Sequence, residues 1–360
     1  MSLSTIFSRF SQLSRRAKPW GGILRFFALP SAVNQLQITR TGPPAEVVEL
    51  ISQARPNPAP NQVLVRMLVA AINPADLNFI EGTYGTSPAL PCAPGMEGVG
   101  VVAELGSAVS SPPVGTLVLP LESPGAWAEW RLLAPHQLHP LPASLDLAQA
   151  ALLRVNPVTA WGLLHQAGPP AAGSWIAQNA ASSAAGHAVV QIANSLGLHT
   201  VNFVRRAESI PVCQALGADL VFLDDSDGLA AAKAALAATP AATPLLALNA
   251  VGGDSALRLM DLLDKGGTHV TYGAMARQAL KVPNSMLIFK GLTLRGFWLT
   301  LWKAEQSPAA LTQLYDHLID LTLTGKLHQQ IAATYPLASF RDALTHAAQN
   351  SRNGKILLQF

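Results

Sequence analysis

Residues 173–206 read GSWIAQNAASSAAGHAVVQIANSLGLHTVNFVRR, and this stretch narrows the possible folds further than any other in the chain. The apolar run Trp175, Ile176 and Ala177 enters a turn of small residues, after which Ala188, Val189, Ile192, Ala193 and Leu196 recur at helical spacing. That order predicts strand, turn, helix. Gly197 closes the helix, and Val201, Phe203 and Val204 supply a second apolar strand that ends on Arg205 and Arg206. A βαβ unit with a small-residue turn at the N-terminus of its helix is the geometry that receives a dinucleotide pyrophosphate, because unpaired backbone N–H groups and the helix dipole face the anion. The glycine pattern is incomplete. Only Gly186 stands among Ala180, Ala181, Ser182, Ser183, Ala184 and Ala185, with Ser182 or Ser183 offering hydroxyl donors. An ordinary buried strand-turn-helix packed with small residues would look the same.

The residues just past the second strand select the cofactor. A carboxylate there holds the ribose 2′-hydroxyl of NAD, whereas guanidinium groups suit the extra phosphate of NADP. Arg205 and Arg206 occupy that place and no acid precedes Glu208, so NADPH is expected.

With 360 residues, 49% of them apolar and 12% charged, the chain can bury the cores of two domains. A net charge of +3, with no Lys and Arg cluster interleaved with aromatics, speaks against nucleic-acid binding. No segment reaches the roughly 18 uncharged apolar residues that cross a bilayer, so a soluble protein without a membrane partner is expected. Cys92 and Cys213 cannot build a disulfide framework or a four-thiolate zinc site, and are expected as core residues. From Met1 to Ala45 there is no Asp or Glu, while Arg9, Arg15, Arg16, Lys18 and Arg25 are interspersed with serines. Leu3, Ile6, Phe10 and Leu13 share one helical side opposite Arg15, the pattern of an organelle transit peptide over residues 1–30. A solvated basic tail is the bland alternative.

Beyond the leader, Val47, Val48 and Leu50 and then Val63, Val65, Met67 and Val69 alternate as strands do, on either side of a turn at Pro56 to Gln62. Strands and turns dominate to about Leu141, which predicts a compact, mostly β domain. Asn156 before Pro157 then reads as an N-cap and first helical residue. Apolar strands at 220–223, 245–248, 269–272 and 292–299, with an alanine-rich helix over 229–243, give the doubly wound parallel pattern. After about Lys303, a helix carrying Leu311, Leu314, Leu318 and Leu321 leads to the strand Lys355 to Phe360, which can return to the first domain. The expected division is 31–152 plus 303–360 for a catalytic domain and 153–302 for a nucleotide domain.

Residues 72–78 (INPADLN), 82–85 (GTYG), 155–160 (VNPVTA), 178–180 (QNA), 271–275 (TYGAM) and 294–299 (LRGFWL) together resemble the mitochondrial trans-2-enoyl-CoA/ACP reductases, in the zinc-independent part of the medium-chain dehydrogenase/reductase superfamily. The resemblance covers nearly everything after Ser31. It implies an α/β fold in which a Rossmann-type doubly wound parallel sheet is inserted in a mostly β, GroES-like catalytic domain. It also implies a homodimer, NADPH as cofactor, and enoyl-CoA or enoyl-acyl carrier protein as substrate in organellar fatty acid synthesis. The compartment is the mitochondrion, with the plastid as alternative. Met96 beside Glu97 stands where the zinc enzymes carry a histidine, and that pair makes no tetrahedral zinc site, so no metal is expected.

Reducing an α,β-unsaturated thioester takes a hydride at the β-carbon, stabilisation of the enolate and a proton for the α-carbon. A tyrosine suits the last two tasks, since its hydroxyl is protonated at neutral pH. Tyr84 matches the family's proton donor. By the same resemblance Asn156 lies near the nicotinamide, Tyr272, Gly273, Ala274 and Met275 with Phe297, Trp298, Leu299 and Thr300 line the cofactor cleft, Trp298 also walls the acyl pocket, and Lys355 reaches the cofactor. Two departures weaken the match: Ala207 stands where a second phosphate-gripping arginine belongs, with Arg206 displaced, and Ala184 replaces the turn glycine. The rivals are an NADPH quinone or enone reductase of the same superfamily, which needs no tyrosine, and a non-catalytic NADPH-binding protein.

Overall fold

A computed structural model describes residues 31–349 and 352–360, so the expected transit peptide at 1–30 lies outside the described residues. The chain divides into two compact units. The first comprises residues up to Ala151, then Thr334–Asn350 and Ile356–Phe360; the second comprises Leu152–Ala333 and Ser351–Lys355.

The first unit opens with β1 (Ala32–Ile38), a strand with no counterpart in the sequence expectations, paired antiparallel with β2 (Val48–Ala54). Its organising element is β3 (Val63–Ile72), most of whose residues are buried. Against β3 lie β4 (Gly98–Leu105) and β6 (Trp130–Leu133), with β5 (Leu117–Pro120) and β7 (Leu138–Pro140) continuing outward from β4. The indole N–H of the fully buried Trp127 donates to the Ala71 carbonyl at 3.0 Å, so this large ring is buried without an orphaned donor. Cys92 departs from expectation. It is half-buried, its backbone bridging Ile38, whereas Cys213 is buried as expected.

The second unit holds a six-stranded, all-parallel sheet of β8 (Trp175–Gln178), β9 (His199–Val204), β10 (Leu220–Leu223), β11 (Leu246–Asn249), β12 (Thr268–Thr271) and β13 (Thr293–Gly296), in the order β10-β9-β8-β11-β12-β13. Numbered within the sheet this is the 3-2-1-4-5-6 order of a doubly wound fold. The central strands are short and buried throughout, as strands covered on both faces must be. Alternation along β9 sorts the two faces. Val201 and Phe203 pack with Leu236, Leu259 and Met260 from the helices Ser226–Ala238 and Gly253–Leu262. Val204 packs with Val190 and Cys213 from the helices Ala184–Ser195 and Ile210–Ala215.

The chain then returns through β14 (Ile331–Pro336) and β15 (Lys355–Gln359), completing a seven-stranded sheet in which six strands follow the order β14-β15-β3-β4-β5-β7 and the seventh, β6, pairs with β3 off that path. β15 runs antiparallel to β3, Ile356 facing Ile72. The expected return at about 303 differs from the observed division, which falls at Ala333. The helix Pro308–Leu323 groups with the second unit: it buries Leu314, Leu318 and Ile319, and the ring of His317 sits edge-on to Trp161 at 5.1 Å.

Candidate functional site

In a parallel sheet every strand points the same way, so the loops after the strands gather along one edge. The expected cofactor residues of the second unit fall into such loops. Ser182 to Ala185 follow β8, Arg205 to Ala207 follow β9, Tyr272 to Met275 follow β12, and Phe297 to Thr300 follow β13.

After β8 the turn leads straight into the twelve-residue helix Ala184–Ser195, with Ser183 as its N-cap. The Ser183 Oγ accepts from the Gly186 N–H at 3.0 Å, which leaves its own hydroxyl hydrogen for an anion. Gly186 is the point of closest approach: a β-carbon there would lie 2.6 Å from the Ala181 oxygen and 2.7 Å from the Ala180 oxygen. One glycine therefore performs the helix-against-strand packing that the full motif requires, and alanine is accommodated at 184 and 185 as the first helical residues. Ser182 is exposed. Behind the turn, Gln178 Nε2 donates to the Gly186 oxygen at 3.1 Å and to Asn202 Oδ1 at 2.8 Å, tying helix to sheet.

After β9, Arg205 is exposed, while Arg206 pairs with Glu208 at 3.2 Å and Ala207 opens a 3-10 turn. Glu208 thus competes for the Arg206 guanidinium. After β12, the Tyr272 N–H donates to Asn249 at 2.9 Å and the Met275 N–H to Ala250 at 3.0 Å. The Tyr272 hydroxyl is buried with no hydrogen-bond partner, and burial raises its pKa. Gly273 lies where a β-carbon would come within 2.8 Å of the Ala250 oxygen, so this loop is pressed against the one after β11. Met275 is exposed. After β13, Phe297 is buried and tilted against Trp302 at 6.1 Å, and Trp298 caps the helix Leu299–Ala304 that contains Thr300.

One expectation about local structure changes. Asn156 is not an N-cap: Val155 holds that position, Asn156 is the first helical residue and Pro157 comes next within the first turn, where its missing N–H costs nothing. Lys355, which the resemblance carries to the cofactor, is buried, its backbone N–H donating to the Gln330 carbonyl at 2.8 Å. In the first unit Tyr84 sits just past the helix Pro74–Glu81. Gly82 ends that helix at φ 77°, a left-handed conformation that a side chain would strain, and the Tyr84 N–H then returns to the Asn78 carbonyl at 3.2 Å. The helix start is keyed from beneath, where Asp76 Oδ2 accepts from Asn73 N at 2.7 Å and Asp76 Oδ1 from Met96 N at 2.7 Å.

Sequence reasoning missed the loop after β11. Asn249 Oδ1 accepts from the N–H groups of Val251 and Gly252 at 3.1 and 3.0 Å, shaping a turn next to the β8 loop at the point where the strand order reverses. Its signal was the pair Gly252-Gly253 directly after an apolar strand. The fit to a dinucleotide is good: a helix N-terminus, a hydroxyl with a free hydrogen and glycines at close backbone approaches meet on one sheet edge. Among the described residues no group of three or more His, Cys, Asp or Glu is placed to hold a metal ion.

The chain matches the family model of the alcohol dehydrogenase GroES-like domain over residues 59–143 and that of the zinc-binding dehydrogenases over residues 184–316. The two matches fall in the two units in turn, as the inserted doubly wound sheet requires. Mitochondrial enoyl-acyl-carrier-protein reductase from Xenopus tropicalis is 40% identical over 336 residues, covering 90% of this chain and 95% of its own. The chain belongs to the mitochondrial enoyl-acyl-carrier-protein reductase family. Among solved structures, the complex of Etr1p with NADP and crotonyl-CoA superposes with a TM-score of 0.83 at 27% identity, covering 91% of this chain and 100% of Etr1p. A quinone oxidoreductase from Pseudomonas syringae superposes with a TM-score of 0.79 at 27% identity over 91% of this chain and 100% of its own. Fold alone therefore does not separate enoyl reductases from quinone reductases; the sequence kinship to the enoyl-acyl-carrier-protein reductase family does.

Proposed function

We propose that the chain reduces the carbon–carbon double bond of trans-2-enoyl thioesters with NADPH, within fatty acid synthesis in the mitochondrion. The observation that carries this is identity of 40% to a mitochondrial enoyl-acyl-carrier-protein reductase across nearly the full length of both chains. When bound, NADPH supplies the hydride for the β-carbon. The chain's own residues do the rest. The helix start at Ser183 and Gly186 receives the pyrophosphate, Arg205 meets the 2′-phosphate, and the Tyr272 and Phe297 loops bound the dinucleotide. Tyr84 donates a proton to the α-carbon of the enolate. The acyl group is carried by CoA or by an acyl carrier protein.

A second copy of this chain is the proposed partner. β13 is the last strand of its sheet and offers its outer edge. Just before it Leu287, Ile288 and Phe289 are 43%, 69% and 75% exposed. An open strand edge beside apolar side chains is a surface that another strand covers.

Purified protein mixed with NADPH and crotonyl-CoA, or a longer enoyl thioester, is expected to consume nicotinamide absorbance. Absence of turnover at every chain length would overturn the assignment. The likeness to quinone oxidoreductases supports a second reading, in which a quinone is the acceptor. It prevails if quinone is reduced and the rate is unchanged by Tyr84→Phe.

A further inference from the structure

We propose that Asn179 is a positioning residue for the dinucleotide turn, acting through a buried polar relay that runs to Asp224 and Arg258. The inference rests on the assignment of NADPH to this turn. Ala180, the first residue of the turn, has φ 48°, a left-handed conformation that an L side chain adopts at a cost and that a free chain would abandon. Something must hold it there.

The neighbouring Asn179 is fully buried and its carboxamide is saturated. Its Nδ2 donates to Asn249 Oδ1 and to Ser255 Oγ, each at 2.8 Å, and its Oδ1 accepts from the Ala250 N–H at 2.7 Å. Ser255, which spends its acceptor on Asn179, donates its one hydrogen to Asp224 Oδ2 at 2.5 Å. Arg258 closes the relay, with Nε on Asp224 Oδ1 and Nη2 on the Asp224 carbonyl, both at 2.8 Å. At the other end Asn249 Nδ2 donates to Thr271 Oγ1 at 3.1 Å. Asn179, Asp224, Asn249 and Thr271 sit at the ends of β8, β10, β11 and β12, and Ser255 and Arg258 lie on the helix Gly253–Leu262, so the relay joins elements that periodicity along the chain does not relate. On the far side of Ala180, the Ala181 N–H reaches Phe203 at 3.0 Å and the Ser183 N–H reaches Ala180 at 2.9 Å. Ala180 is therefore clamped from both sides, and Asn179 is the only clamp made of a side chain among these contacts. Deleting Asn179 leaves the Ala250 N–H without its acceptor and takes one donor each from Asn249 and Ser255, which keep their bonds to Val251, Gly252, Thr271 and Asp224, so the tie between the β8 turn and the rest of the relay is lost.

The test is NADPH titration, monitored by fluorescence, on the full chain. Asn179→Ala is expected to raise the dissociation constant about tenfold. Adding Ala180→Gly, which removes the conformational penalty, should restore most of that loss, while Ala180→Gly alone should stay within about twofold of wild type. Affinity unchanged in Asn179→Ala, or lost without rescue by glycine, would overturn the proposal, since a residue that merely supports the core has no reason to respond to relief at 180. Should Asn179→Ala fail to fold by circular dichroism, Ser255→Ala carries the test, with a rise of about threefold reversed by the same glycine and an unchanged affinity again overturning it. A wild-type chain that bound no NADPH would instead remove the nucleotide reading, and this inference with it.

Discussion

The α-carbon of Gly186 faces the carbonyl oxygen of Ala181 so closely that a β-carbon at 186 would lie 2.6 Å away. The contact is backbone against backbone, so neither partner can rotate aside. Gly186→Ala is expected to destabilise the second unit by about 1–3 kcal/mol and to weaken NADPH binding, read by thermal melting and fluorescence titration. A variant that melts and binds like wild type would show that the turn is slack.

Tyr84→Phe removes one hydroxyl from a residue placed by the Gly82 helix end. With an enoyl thioester the turnover number should fall about 10²–10⁴-fold, while the NADPH dissociation constant stays within about twofold. A rate close to wild type would take Tyr84 out of the chemistry.

Arg205 is exposed just past β9, where the proposed function places the 2′-phosphate, and Arg206 beside it pairs with Glu208 at 3.2 Å. Arg205→Ala should raise KM for NADPH about tenfold or more and leave KM for NADH nearly unchanged, because only NADPH carries the 2′-phosphate. Glu208→Gln should act in the opposite sense by releasing Arg206. Steady-state kinetics with both nucleotides decides each point.

Burial lowers His187 and His269 to pKa values of about 4. Both histidines are neutral in the folded protein, and the unfolded chain, at about 6.5, binds the extra protons as pH falls. Stability is thus complete above about pH 6.5, declines as pH drops toward 4, and levels off below, by up to about 3 kcal/mol for each group. Urea unfolding between pH 7 and 4 should show that slope, and His269→Leu should flatten it. An identical slope in the variant would mean that other groups govern acid stability.

Wild-type protein should sediment as a dimer at micromolar concentration, and Phe289→Asp should convert it to monomer without changing its circular dichroism. Phe289 is 75% exposed, so the substitution disturbs no core. A wild-type monomer, or an aspartate variant still dimeric, would rule out this face.

The doubly wound unit was legible because apolar runs alternated with helical periodicity, and because Arg205 and Arg206 stood at the end of a strand. Smaller features were less so. β1 has only Val33, Leu36 and Ile38 buried, a spacing without clear strand alternation. The burial of Lys355 is set by neighbours that its local sequence does not name, and Asn156 before Pro157 suits the N-cap and the first turn equally well.

Taken alone, the amino-acid order determined the succession of strands and helices, the cofactor class and the chemical groups on offer, because each depends on residues within a few positions of one another. Only the tertiary structure decided that Asn179 meets Asn249 at 2.8 Å and that the helix Pro308–Leu323 groups with the nucleotide unit. Such meetings arise from strand order and packing, which bring together side chains far apart in sequence, and no local periodicity records them.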